Sequence, residues 1–105
     1  LTNKNLKLAK KNIEYNTKKN LQDNVTIIRQ KNNIILKENF FSQSNEVVFR
    51  SLTEIIKIVG KKYYAARGKK VDKVINLINT KSSFKITLGG CIIKKVNETV
   101  ILFKE

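Results

Sequence analysis

The chain has 105 residues and carries 22 Lys and Arg against 8 Asp and Glu, a formal net charge of +14. It has no His and one Cys, which excludes an imidazole base, His-ligated metal sites, an internal disulfide and paired-Cys metal motifs. No apolar run approaches the ~20 residues that span a bilayer, and the first residues lack the apolar centre of a signal peptide. We therefore expect a cytoplasmic protein without catalytic residues, cofactor or metal in this chain, whose charge favours nucleic acid or an anionic membrane surface.

The chain contains no Met and begins with Leu1, so we expect it to be a piece of a longer protein. Abundant Lys, Asn and Ile are typical of an AT-rich genome, which raises the Lys content for reasons unrelated to function. Clustered charge is therefore a better guide to function than net charge.

The first third of the chain predicts one helix and one hairpin. Apolar side chains recur at helical spacing among lysines at Leu6, Ala9, Ile13 and Tyr15 to Thr17. This spacing predicts an amphipathic helix over residues 2–21, with a stripe narrow enough to pack on one side only. Two β-branched runs at 25–28 and 34–36, separated by a polar turn, predict a small hairpin.

Both ends of a second helix are marked. Ser44 or Asn45 can cap its N-terminus, and Gly60 stands where a left-handed stop is expected. Arg50 lies on this helix and is interpreted as a structural ion-pair partner rather than a ligand contact. The predicted buried stripe consists of Val48, Leu52, Ile55, Ile56 and Val59.

The C-terminal part predicts a third helix, from about Lys69 to Thr80, and three strands at 84–88, 91–96 and 99–103. The pair Gly89-Gly90 interrupts the strand pattern, which favours a bulge or a close backbone approach over a phosphate-binding loop, because no helix follows it. Cys91 is expected to be a small buried side chain. The elements predict an α+β fold: one small domain with three helices packed on short antiparallel strands and hairpins.

Residues 60–73 read GKKYYAARGKKVDK and carry the strongest functional signal. Cations surround the adjacent pair Tyr63 and Tyr64, and Asp72 alone opposes them. The six cations are Lys61, Lys62, Arg67, Lys69, Lys70 and Lys73. Such a segment can offer charge to phosphates and aromatic faces to bases. The alternative interpretation is a solvated connector between two helices, with the tyrosines anchored in the core.

The order of elements from Val47 to Glu105 resembles the C-terminal part of tRNA(Ile)-lysidine synthetase. The segments that carry the resemblance are the helix VFRSLTEIIKIVG, the loop with Tyr63-Tyr64 and Arg67, and the corner from Thr87 to Cys91. Related sequences commonly have proline just before the loop arginine, whereas Ala65 and Ala66 stand there in this chain. Since proline would fix a backbone angle, the loop is expected to be less rigid.

The resemblance implies an enzyme that uses ATP with Mg to attach L-lysine to the wobble cytidine of an isoleucine tRNA with a CAU anticodon. It places activation in an N-terminal PP-loop ATPase domain, whose SGGxDS motif does not occur in this chain. Residues 1–22 would then be a helix leading to that domain, and residues 23–105 a C-terminal tRNA-binding domain. The loop cations and tyrosines named above would be its tRNA-binding residues.

Two alternatives remain open. The chain could be a stand-alone basic RNA-binding, ribosomal or chromatin-associated protein, which would have an initiating Met just upstream. An anionic-membrane adaptor would need a broad apolar face with Trp or Phe at its border on the first helix, and the narrow stripe argues against it. A PP-loop domain encoded upstream would distinguish the enzyme from both.

Overall fold

The computed structural model describes the backbone of residues 3–61 and 68–105, and the side chains of residues 10–61 and 68–105. Three α-helices and five strands follow the predicted order. They are α1 (Asn3–Asp23), β1 (Val25–Ile28), β2 (Asn33–Leu36), α2 (Asn45–Gly60), α3 (Gly68–Thr80), β3 (Ser83–Leu88), β4 (Cys91–Val96) and β5 (Thr99–Lys104). A 3-10 helix (Glu38–Ser42), which was not predicted, lies between β2 and α2. The predicted α+β fold is confirmed. In the described ranges, no helix has the length and apolar character needed to cross a membrane.

The five strands form a single antiparallel sheet in the order β1-β2-β5-β4-β3. The N-terminal hairpin joins the C-terminal strands through the pairing of β2 with β5, in which Ile34 lies opposite Leu102. This pairing connects segments far apart in the sequence, and the local patterns did not predict it.

The helices cover one face of the sheet. Alternate strand residues such as Leu36, Ile93 and Leu102 are buried with Leu52 and Val74 of the helices. The opposite face carries partly buried apolar side chains, none of which belongs to that cluster: Ile28, Ile35, Ile92, Ile101 and Phe103. Because strand side chains alternate between faces, the core lies between the sheet and the helices only.

Helix α2 begins as predicted and ends differently. The Ser44 hydroxyl accepts a hydrogen bond from the Val47 amide at 3.4 Å, which satisfies one of the free N–H groups at the helix start. At the other end, the left-handed residue is Lys61, with a φ of 54°, and Gly60 is the last helical residue. The predicted role of Gly60 as a left-handed stop is therefore wrong.

The reason that Gly60 is a glycine lies in the sheet. A Cβ atom at this position would stand 2.0 Å from the Gly89 carbonyl oxygen, so α2 approaches the β3–β4 turn more closely than any side chain allows. Gly89 and Gly90 have φ values of 61° and 77°, as a two-residue hairpin turn of type I′ requires. The close approach predicted for this pair is confirmed, and the pair forms a turn rather than a bulge.

Helix α1 is attached to the domain by a buried polar cluster, and its Leu21 side chain packs on the apolar core. Asn20, which is buried, donates hydrogen bonds to the Ser51 hydroxyl at 3.1 Å and to the Phe40 carbonyl at 3.3 Å. It also accepts one from the Asn24 amide at 2.8 Å. Tyr15 is 65% exposed, so the predicted apolar stripe does not extend to it.

Candidate nucleic-acid interface

Four of the predicted site residues are described, and all four are exposed. Lys61 caps α2, and Lys69, Lys70 and Lys73 lie in the first turns of α3. The other four predicted residues lie outside the described residues: Lys62, Tyr63, Tyr64 and Arg67.

The two helix ends that carry these lysines are fixed by packing. The contact between Gly60 and Gly89 holds the end of α2 on the sheet, so Lys61 leaves the helix from a defined point. At the start of α3, the open side of Gly68 faces the Phe49 ring, 3.5 Å from where a Cβ would be. Phe49, next to the start of α3, and Gly60, next to Lys61, are about 16 Å apart along α2 at 1.5 Å per residue. The α3 lysines and Lys61 therefore lie at two separate points on the surface.

Among the residues whose side chains the structure describes, none forms an ion pair with these four lysines. Within residues 10–61 and 68–105, the ion pair that the structure contains joins Arg50 Nε to Glu46 Oε1 at 2.9 Å. Arg50 is therefore an ion-pair partner, as predicted. Asp72 is exposed on α3 and pairs with none of the described lysines. These ammonium groups are thus available to an external anion.

Other lysines serve the fold instead. Lys95 donates a hydrogen bond to the Ile78 carbonyl near the end of α3, where a cation also interacts favourably with the helix dipole. Lys37 donates to the Asp23 carbonyl at 3.3 Å, near the end of α1. Part of the positive charge therefore stabilises the fold, so clustered charge is a better guide to function than net charge.

A second cationic region was not predicted from the sequence. Arg29 of the β1–β2 turn and Lys104 at the end of β5 join Lys61 around a groove of about 560 Å³. Two exposed apolar side chains, Ile27 and Ile58, line the same groove. The sequence offered one signal for it, because Ile58 is apolar but lies outside the buried stripe of α2.

Cys91 is buried, as predicted, and does not act as a reactive thiol. Burial disfavours its charged form and raises its pKa from 9.0 to about 12. Since the thiolate is the nucleophile, a thiol with this pKa is inert near neutral pH.

The fold and the exposed cations together define a small basic α+β domain with a surface suited to polyanions. Similar segments occur in proteins named tRNA(Ile)-lysidine synthase: the chain is 31% identical over 62 residues to the one from Rickettsia akari (strain Hartford). It is 34% identical over 62 residues to that of Rickettsia rickettsii (strain Sheila Smith), and 32% identical over 62 residues to that of Rickettsia africae (strain ESF-5).

Each match covers 59% of this chain, but only 14% of the Rickettsia akari protein and 13% of the other two. The chain therefore spans a small part of the length of these relatives. No protein-family model matches the chain, and no solved structure matches it.

Proposed function

We propose that this chain is the C-terminal, tRNA-binding part of a tRNA(Ile)-lysidine synthetase. In this proposal it holds tRNA while a PP-loop ATPase domain of the same protein uses ATP and L-lysine to modify the wobble cytidine of an isoleucine tRNA with a CAU anticodon. The observation that carries the proposal is the group of exposed lysines at the end of α2 and the start of α3, which pair with no carboxylate in the described part of the chain. The similarity to lysidine synthases supplies the kind of nucleic acid.

In the proposed mechanism, the chain binds phosphates and forms or breaks no covalent bond. The lysines act as point charges, whereas the planar guanidinium of Arg67 can make two parallel hydrogen bonds to one phosphate. Tyr63 or Tyr64 can stack on an exposed base or ribose. Six phosphate contacts would give a slope of about −5 in the logarithm of affinity against the logarithm of salt concentration, a loss of roughly a thousandfold from 50 to 200 mM salt.

The test compares two triple variants with the same net charge. One replaces Lys69, Lys70 and Lys73 of α3 with Gln. The control replaces Lys81, Lys85 and Lys94, which are exposed at the far end of α3 and on the outer face of the sheet. Affinity for an isoleucine tRNA transcript with the CAU anticodon is measured by fluorescence anisotropy at several salt concentrations.

We expect the α3 variant to lose about a hundredfold in affinity at 0.1 M salt and to show a salt slope smaller by about 2 to 3, because three phosphate contacts are removed. The control should stay within about threefold of the wild type, since distant surface charges are screened over ~10 Å. Equal losses in both variants would mean that net charge alone drives binding and would contradict the proposed interface.

The single substitution Arg67→Ala examines the loop itself. We expect it to weaken tRNA binding by about tenfold and to leave thermal unfolding nearly unchanged, because it removes one charge-assisted contact to a phosphate. Unaltered affinity in a gel-shift assay would remove Arg67 from the proposed interface.

A further inference from the structure

The groove between the β1–β2 hairpin and the end of α2 combines an apolar floor with a cationic rim. Its floor consists of Ile27, Ile34, Ile58 and Val59, and its rim includes Arg29, Asn32, Lys61 and Lys104. Ile27 and Ile58 are 63% and 60% exposed, which is unusual for two large apolar side chains that share one groove.

The sheet and the helix place these side chains together. Ile27 lies opposite Ile34, which lies opposite Leu102, so Ile27 points to the helix side of the sheet from the edge strand. There it extends beyond the cover of α2, whose last turn contributes Ile58. The apolar floor is therefore formed where the edge strand β1 and the last turn of α2 leave these isoleucines exposed.

Two of the groove residues have left-handed backbones. Asn32 has a φ of 53° in the β1–β2 turn, and Lys61 has a φ of 54° after α2. These are the backbone conformations that a helix C-cap and a hairpin turn adopt, and they set the directions in which the two residues leave α2 and β1. The close approach of Gly60 to Gly89 fixes the end of α2, and with it the point at which Lys61 joins the rim.

The lining of the groove suits an apolar group attached to an anion. Its volume of about 560 Å³ is typical of sites that bury a small molecule or one nucleotide. None of its described lining residues is acidic, whereas the groove of about 490 Å³ between α1 and α2 is lined by two acidic and two basic residues, Glu14, Glu54, Lys18 and Arg50. A second copy of this chain, with its own charge of +14, is a poor occupant.

We infer that this groove receives the base of an unpaired nucleotide of the bound RNA, while Lys61, Lys104 and Arg29 contact the adjoining phosphates. The inference rests on the proposed RNA-binding function and extends its interface from Lys61 across the end of α2. The base packs on the isoleucine side chains, and the Asn32 amide can hydrogen-bond its edge.

The test changes the apolar floor without changing charge. The variant carries Ile27→Thr and Ile58→Gln, and its control carries Tyr15→Gln and Val96→Thr, which replace exposed apolar side chains elsewhere. Because all four side chains are exposed, thermal unfolding should differ little between the two, and Ile58→Gln alone serves as a milder variant. The probes are the isoleucine tRNA transcript and a fully base-paired RNA duplex, each measured by fluorescence anisotropy.

We expect the floor variant to bind the tRNA about tenfold more weakly, with an unchanged salt slope, because base packing is lost and phosphate contacts remain. Its affinity for the duplex, and the affinity of the control for both RNAs, should stay within about twofold. Equal losses for tRNA and duplex, or no loss for tRNA, would overturn the inference. If tRNA binding depends on the α3 lysines but not on the floor, only this inference fails; if the wild-type chain binds no tRNA, the proposed function fails as well.

Discussion

Helix α2 is held on its two sides by different kinds of contact. Toward the sheet, its apolar stripe enters the core, and Gly60 allows the backbone to touch the β3–β4 turn. Toward α1, the contact adds to the packing of Leu21 a buried amide, Asn20, which donates a hydrogen bond to Ser51. On the sheet side, close packing and buried apolar area stabilise the contact. On the α1 side, hydrogen bonds between buried polar groups also contribute. Substitutions on the two sides should therefore fail for different reasons.

The largest effect is expected on the sheet side, from Gly60→Ala. The added Cβ would stand 2.0 Å from the Gly89 carbonyl oxygen, so backbone must move on one side of the contact. We expect the free energy of unfolding to fall by about 2–4 kcal/mol, although alanine is the better helix former. Urea denaturation followed by circular dichroism measures this change.

Gly68→Ala is the matched control, because its Cβ would meet the Phe49 ring at 3.5 Å, an ordinary contact. We expect this variant to be neutral or stabilised by up to about 1 kcal/mol. If the two alanine variants had the same stability, the close approach of Gly60 would not constrain α2. The Gly60 variant should also weaken RNA binding, since it displaces Lys61.

On the α1 side, Asn20→Ala should lower the free energy of unfolding by about 2–3 kcal/mol. It leaves the buried Asn24 amide and the Phe40 carbonyl without their partner. Ser51→Ala should cost only about 1 kcal/mol, because the Asn20 amide keeps its bond to Phe40. Urea denaturation of both variants and of the double variant completes a thermodynamic cycle.

The double variant should cost less than the sum of the two single variants by at least about 0.5 kcal/mol, because the shared hydrogen bond is lost only once. Additive costs would show that Asn20 and Ser51 do not stabilise each other, and the comparison between the two sides of α2 would lose its basis.

The same contrast explains how much of the fold the sequence could predict. Apolar periodicity and cap residues located the three α-helices and five strands to within about two residues, but they gave no signal for the 3-10 helix Glu38–Ser42, which places Phe40 in the core. The pairing of β2 with β5 was not predicted, because local patterns carry no information about distant register. The predicted role of Gly60 was wrong for a related reason. Contact with the distant β3–β4 turn, rather than the geometry of the helix end, requires a glycine there. The polar attachment of α1 gave no signal, because a buried Asn reads like a surface residue.

The candidate site was likewise predicted from the sequence only in part. Clustered charge predicted the exposed lysines of α2 and α3, because charge is a property of the local sequence. The groove needs a hairpin residue and a helix residue, Ile27 and Ile58, that are 31 positions apart in the chain. Only the fold brings them together.

The smallest effect concerns Cys91, in the core on the sheet side of α2. Its pKa rises from 9.0 to about 12 on folding because the thiol is buried. Between these two pH values the thiol ionises in the unfolded chain but not in the folded protein, which favours unfolding. This contribution to stability is complete below pH 9 and is lost as the pH rises toward 12. Relative to Cys91→Ala, the wild type should lose about 1 kcal/mol between pH 9 and pH 10. Urea denaturation of both proteins at each pH gives the difference, in which lysine titration cancels because both carry the same lysines. A constant difference would mean that the thiol ionises as easily in the folded protein as in the unfolded chain, and that the sheet side of α2 admits water.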